Sequence, residues 1–137
     1  MFPLEPAQIK PASINTNLSI IIVSYKRLDY LRKCIQSIVD TVKKIQYEII
    51  IVDNKSADGT PEIICQEFPD LKIVKNTENL GFAKGNNLGI RISRGEFILL
   101  LNNDTEALPE SIETLFEIIK RSPEVGLLGC QLIYPDQ

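Results

Sequence analysis

A chain of 137 residues with 44% hydrophobic residues and a formal charge of −3 is sized for one globular domain and carries no overall basic field to recruit nucleic acid or anionic lipid. It contains no histidine, which excludes His-based triads, His proton shuttles and His metal sites and leaves acid or base chemistry to carboxylates. Its cysteines, Cys34, Cys65 and Cys130, are odd in number and widely spaced, which argues against a disulfide framework or paired-cysteine zinc binding and favours a reducing compartment.

Residues 1–17, with Pro3, Pro6 and Pro11, show neither helical nor strand period and read as a loosely held leader. From Leu18 the run Leu18-Ser19-Ile20-Ile21-Ile22-Val23 is β-branched and almost continuously apolar, as a strand covered on both faces requires. Ser24-Tyr25-Lys26-Arg27 ends it. Asp29 is expected to cap a helix that turns Leu31, Ile35, Ile38, Val39 and Val42 inward. Glu48 to Val52 repeats the buried-strand pattern, Asp53 to Gly59 is turn-rich, and Thr60-Pro61 offers a cap and a first-turn proline ahead of Ile63, Ile64 and Phe68. Leu71 to Val74 reads as a short third strand. The stretch ENLGFAKGNNLGIRISRG, residues 78–95, is helical in its later part. Glu96 to Leu101 is expected to be a fourth strand with ILLL buried, Pro109 to Arg121 a helix, and Val125 to Ile133 a fifth strand. Strands alternating with helices at this interval predict a three-layer α/β/α sandwich with a mostly parallel sheet and right-handed crossovers.

In such a sheet the ligand crevice lies outside the carboxyl ends of the strands, where the strand order reverses. Those ends carry Ser24-Tyr25-Lys26-Arg27, Asp53-Asn54-Lys55-Ser56 and Asn102-Asn103-Asp104, and Asn79 to Asn87 enters the same region. Asp53 reads equally as a turn former and as an acceptor of hydrogen bonds from a nucleobase imide or ribose. Gly81, Gly85 and Gly89, four residues apart, suit close packing of a helix on the sheet. With Asn79, Lys84, Asn86 and Asn87 they also suit close backbone approach to a ligand, with a lysine beside its phosphate or base. Neither a G-x-G-x-x-G nor a G-x-x-x-x-G-K-[ST] pattern is present. Asn102-Asn103-Asp104 reads as a strand-ending turn, or as an amide pair beside one carboxylate offered to Mg²⁺ or Mn²⁺, with substrate phosphates and waters completing the shell. Tyr25 reads as half-buried packing or as a ring that covers a base, and Arg27 as a helix-flanking cation or a phosphate partner.

SIIIVSYKRLDYLRKCIQSI, EIIIVDNKSADGT, ENLGFAKGNNLGI and GEFILLLNNDT, in that order, span about residues 18 to 134. Together they resemble the family-2 glycosyltransferases of GT-A fold, in particular the rhamnosyltransferase-like branch. The resemblance implies an inverting transfer of sugar from a UDP- or dTDP-linked donor, with Tyr25 and Asp53 around the base, Asn103 toward the ribose and Asp104 on Mn²⁺ or Mg²⁺. Ser24, Arg27 and Lys84 carry over as further donor-binding positions. Many relatives have Asp-x-Asp where this chain has Asn102-Asn103-Asp104, so metal affinity without nucleotide is expected to be weak. The acceptor pocket, for a glycan or lipid-linked acceptor, and the catalytic base of such enzymes lie in a C-terminal half. Residues 18–137 are therefore expected to be a donor-binding part that stops before it, with no catalytic base of its own.

Surface normally covered by that half would favour a homo-dimer. No apolar run approaches the ~20 residues of a membrane span and the N-terminus has no signal-peptide pattern, so the expected location is cytoplasmic, with peripheral membrane association for the full-length protein. Two other classes remain open on the sequence. A phosphorylation receiver would share the doubly wound sheet but needs an acidic pair where Ser24-Tyr25 stands. A non-catalytic nucleotide-binding or assembly domain needs no base at all.

Overall fold

The computed structural model describes residues 16–134. Four strands, β1 (Leu18–Ser24), β2 (Tyr47–Asp53), β3 (Lys72–Lys75) and β4 (Phe97–Asn102), alternate with four helices, α1 (Leu28–Thr41), α2 (Thr60–Glu67), α3 (Gly81–Ile92) and α4 (Ser111–Arg121). The strands form one parallel sheet in the order β3-β2-β1-β4. Chain order runs outward from β1 to β3 and then jumps to the far side of β1, so the topological switch falls between β1 and β4. The register sets Ser24 beside Asp53 and Val23 beside Asn102. The polar tails of three strands therefore end at one level.

The period-2 geometry of the strands sorts the isoleucines to two faces. Leu18, Ile20, Ile22, Ile49 and Ile51 join Leu31, Cys34, Ile35 and Ile38 of α1, Ile64 of α2, and Ile112 and Phe116 of α4 in the larger core. Ile21, Ile50 and Val52 face the other way, against Val23 and Leu88 of α3. These are the three layers expected from the alternating pattern.

Several local expectations change. The segment 125–134 forms no strand and pairs with none of the four, and Leu127, Leu132 and Tyr134 are exposed. Apolar content alone does not make a strand, because its stability comes from a neighbouring ladder and from packing. The ILLL run is likewise not a strand buried on both faces. β4 is an outer strand of the described sheet, with Phe97, Leu99 and Leu101 packed on the larger core but Ile98 and Leu100 exposed at 41% and 46%. Asp29 does not cap α1. The N-cap is Arg27, in left-handed conformation with no side-chain cap bond, while Asp29 sits in the first turn and pairs with Arg32 at 3.0 Å. Gly59, not Thr60, is the N-cap of α2, and the Asp58 carboxylate accepts the Thr60 amide at 3.0 Å, with Pro61 in the first turn. The α3 helix starts at Gly81, ahead of the later part of 78–95 expected to be helical, and the other strand and helix ends fall within two residues of expectation. Of the expected leader, residues 1–15 lie outside the described part, whereas the Asn17 amide already donates to Gln46 O and its carbonyl accepts from Phe97.

At the amino ends of the strands, Glu48 gathers the Ser19 hydroxyl (2.7 Å), the Arg94 amide (2.7 Å) and the Lys72 ammonium. Burial pushes this carboxyl up, but the Lys72, Ser19 and Arg94 hydrogen bonds together outweigh it and hold Glu48 below its ordinary 4.5. The fold thus favours the anion, so its contribution is complete above pH 4.5 and disappears as the pH falls through the lower folded value. We expect Glu48→Gln to flatten the acid side of the stability profile, read as melting temperature between about pH 3 and 7, relative to the parent protein. A profile of unaltered slope would refute it.

Candidate active site

The β1–α1 and β2–α2 loops leave the carboxyl edge in strained conformations. Lys26, Arg27, Lys55 and Ala57 all have positive φ, between 52° and 63°, where a non-glycine residue costs on the order of 1–3 kcal/mol. Cross-loop bonds sustain them. The Lys26 amide donates to Ser56 Oγ at 2.7 Å, and Ser56 donates its hydroxyl and its amide (3.1 Å) to the Asp53 carboxylate. The Asn54 amide donates to Ser24 O at 2.8 Å, and its side chain links Gly81 O (3.1 Å) with the Asn76 amide group (2.9 Å). Asn54 thereby ties the β2–α2 loop to the start of α3.

These ties shape an open cavity of about 350 Å³ lined by Val23, Tyr25, Arg27, Asn54, Asn79, Gly81, Phe82, Asn103 and Asp104. It lies at the carboxyl edge, over the β1/β4 switch. Four of the seven positions singled out in the sequence, Tyr25, Arg27, Asn103 and Asp104, line it directly. Ser24 and Asp53 are buried beneath. Ser24 Oγ accepts from the Asn103 amide group at 3.4 Å, and both Asp53 oxygens are engaged by Ser56. Lys84 is exposed on α3 and is not a lining residue. Of the other lining residues, Asn54, Asn79 and Gly81 belong to the stretches read as candidates for ligand approach but were given no donor-binding role, and Phe82 was missed. For Asn79 and Gly81 the signal was in the ENLGF stretch: Asn79 Oδ1 accepts the Gly81 amide at 2.9 Å and Gly81 takes φ 76°, which only glycine adopts freely. Phe82 gave none, because an aromatic at a helix start reads as core.

Electrostatically the cavity is mixed. The Arg27 guanidinium lies 4.6 Å over the Tyr30 ring and the Lys26 ammonium 5.3 Å from the Tyr25 ring, two cations held against aromatic faces at the entrance to α1. Asp104 is exposed, and among the described residues its carboxylate has no hydrogen bond or ion pair. No cluster of three or more His, Cys, Asp or Glu side chains suited to a metal occurs among the described residues, so a metal held by protein ligands alone does not fit. A hard cation shared with phosphate oxygens and waters does fit, because such ions need only one or two carboxylates. Behind the loop, burial pushes the Cys34 thiol up to about 12, with Asp104 and Glu106 adding to the effect against a bond from the Thr105 backbone. It stays protonated and is not a nucleophile.

A larger cavity of about 410 Å³ opens between Lys44, Ile45 and α4, at the opposite edge of the sheet. Its charges satisfy one another: Lys44 meets Glu110 at 3.7 Å and Glu113 at 3.6 Å, and Arg121 meets Glu117 at 3.3 Å. Glu113 also accepts the Lys43 and Lys44 amides, both at 2.7 Å. Nothing there converges on a ligand.

The family model for Glycosyl transferase family 2 matches residues 19–137. The chain belongs to that family. It is 30% identical over 111 residues to an uncharacterized glycosyltransferase of Haemophilus influenzae, covering 81% of this chain and 37% of that protein. It is 31% identical over 117 residues to a poly(ribitol-phosphate) beta-glucosyltransferase of Bacillus spizizenii, covering 82% of this chain and 18% of the relative. Among solved structures, TarS 1–349 of S. aureus in complex with UDP-GlcNAc superposes with a TM-score of 0.70 at 23% identity, over 78% of this chain and 32% of TarS. The chain thus spans less than two fifths of each of these relatives, and it shares the GT-A-like α/β fold with TarS. Family membership removes the receiver alternative, which the engaged carboxylate of Asp53 also disfavours. No helix among the described residues is long and apolar enough to cross a membrane.

Proposed function

We propose that residues 18–137 are the donor-binding part of an inverting glycosyltransferase that uses a UDP- or dTDP-linked sugar, and we assign them to the rhamnosyltransferase-like branch on their four sequence motifs. The observation that carries this reading is the convergence of Tyr25, Arg27, Asn103 and Asp104 on one cavity at the β1/β4 switch. The ring of Tyr25 covers the base, above an edge whose hydrogen-bonding pattern Asp53 fixes. Asn103, braced by Ser24, faces the ribose. Arg27 balances the diphosphate, with Lys84, exposed on α3 outside the lining, as a further cation for it. Asp104 would hold Mn²⁺ or Mg²⁺ together with the diphosphate oxygens, and the ion would stabilise charge on the departing nucleoside diphosphate.

In the complete reaction an acceptor hydroxyl, on a glycan or lipid-linked molecule, gives its proton to a carboxylate outside these residues. Its oxygen bonds to the anomeric carbon as the bond to the diphosphate oxygen breaks, and the nucleoside diphosphate leaves with the electron pair. TarS, a GT-A-fold neighbour with UDP and UDP-GlcNAc complexes, lends support to a nucleotide-sugar donor.

Calorimetric titration with UDP, dTDP and their sugar conjugates, in chelator and in Mn²⁺, tests the reading. One pyrimidine diphosphate is expected to bind at least tenfold more tightly with Mn²⁺, a difference of about 1.4 kcal/mol. Binding of none of the panel in either condition would overturn donor binding. Equal affinities in chelator and Mn²⁺ would overturn the metal assignment alone.

A further inference from the structure

Asp104 has no side-chain partner among the described residues, so its position is set by the backbone of the loop that carries it. Two residues of α1 hold that loop. At its start, Asn102 O accepts the Cys34 thiol at 3.5 Å as well as the Thr105 amide at 3.3 Å. At its end, the Ala107 amide donates to Ser37 Oγ at 2.8 Å, and the Ser37 hydroxyl donates one turn back to Cys34 O at 2.7 Å. A helical serine bonded only to the carbonyl three residues back is ordinary. Ser37 also accepts an amide 70 residues away, and an unmet N–H in that half-buried position would cost about 1–3 kcal/mol. Cys34 is fully buried, and its long, soft S–H reaches the one carbonyl from which the Asn103-Asp104 turn departs.

We propose that Ser37 and Cys34, one turn apart on α1, are positioning residues that clamp both ends of the Asn102–Ala107 loop and thereby set Asp104 for the shared cation. This rests on the assignment of Asp104 to the metal in the proposed function. Because one helix holds both ends, a shift of either end moves Asp104 relative to the base-binding loop, which α1 also carries at its start through Arg27. The clamp therefore acts on the metal-dependent part of nucleotide affinity.

The test is the ratio of Kd for UDP in chelator to Kd in saturating Mn²⁺, with dTDP used if it is the tighter ligand, measured on the whole chain for the parent, Ser37→Ala, Ser37→Thr and Cys34→Ala. The ratio cancels any uniform loss of binding from structural damage. We expect Ser37→Ala to lower it at least fivefold and Ser37→Thr, which keeps the hydroxyl, to restore most of it. Cys34→Ala, expected to lower the ratio at least twofold, carries the same test if Ser37→Ala does not fold. A parent ratio lowered by Asp104→Ala but retained in Ser37→Ala and Cys34→Ala overturns the clamp and leaves the metal assignment standing. A parent ratio of one overturns both.

Discussion

Asp104→Ala is expected to bring the affinity for the nucleotide in Mn²⁺ down to its value in chelator, a loss of tenfold or more, while the melting temperature stays within about 2 °C of the parent. The two halves of this expectation have separate causes. Among the described residues, Asp104 is the only carboxylate lining the cavity, and it is exposed and unpaired. Its removal breaks no hydrogen bond there, and surface changes of that kind usually shift stability by no more than about 0.5 kcal/mol. Asn102 and Asn103 are neutral amides, and the loop's other carboxylate, Glu106, does not line the cavity, so no neighbouring lining residue takes over the cation's charge. Calorimetry in both conditions, beside a thermal melt, checks this. A variant that keeps its Mn²⁺ response places the ion elsewhere, and one that melts well below the parent shows that Asp104 has a structural role.

The parallel sheet was legible because continuous β-branched runs such as Ile20-Ile21-Ile22 and Ile49-Ile50-Ile51 satisfy two covered faces at once. The same rule misread β4. The run Ile98-Leu99-Leu100-Leu101 has no apolar–polar alternation, so composition cannot say that only Leu99 and Leu101 of these four meet the larger core. Helix starts were misplaced for a different reason. Arg27, Gly59 and Glu110 cap their helices by taking left-handed backbone conformations without a side-chain cap bond, and an arginine or glutamate in that conformation leaves no mark in the sequence. At the site, the strand-end clusters were legible through topology: once the sheet is parallel, Tyr25 and Asn103-Asp104 must emerge at one edge. Which of them line the cavity was not. That depends on tertiary bonds such as Ser56 to Asp53 and Asn54 to Gly81, which put Asp53 below the wall and Asn79, Gly81 and Phe82 in it.

Gly95→Ala and Gly89→Ala are expected to destabilise the fold more than any exposed substitution, and Gly95→Ala more than Gly89→Ala. A Cβ on Gly89 would lie 2.5 Å from Cγ2 of Ile21, a fully buried side chain under α3, and one on Gly85 would lie 2.9 Å from Val23 Cγ1. The small residues let α3 sit directly on β1. In an open helix, alanine for glycine would gain about 1 kcal/mol of propensity; here it forces an overpacked contact costing about 1–3 kcal/mol. The clash wins at Gly89, because Ile21 is fully buried, and the net loss expected is up to about 2 kcal/mol. At Gly95 there is no compensating propensity, since the residue follows α3. The obstacle there is backbone: a Cβ would run into Ser19 N and lie 2.7 Å from Leu18 C. It would also displace the Ser19 hydroxyl that accepts the Gly95 amide at 2.8 Å and donates to Glu48. A loss of about 3 kcal/mol or more is expected, or a melting temperature lower by roughly 10 °C at about 4 °C per kcal/mol for a domain of this size. The two variants should separate in binding. Lifting α3 at Gly89 moves Gly81 and Phe82, which line the cavity, so Gly89→Ala should weaken nucleotide binding in chelator as well as in Mn²⁺. Gly95 acts at the opposite edge, so folded Gly95→Ala protein should bind close to normally. Equal melting temperatures for both variants and the parent would show that α3 can shift away from the sheet at little cost.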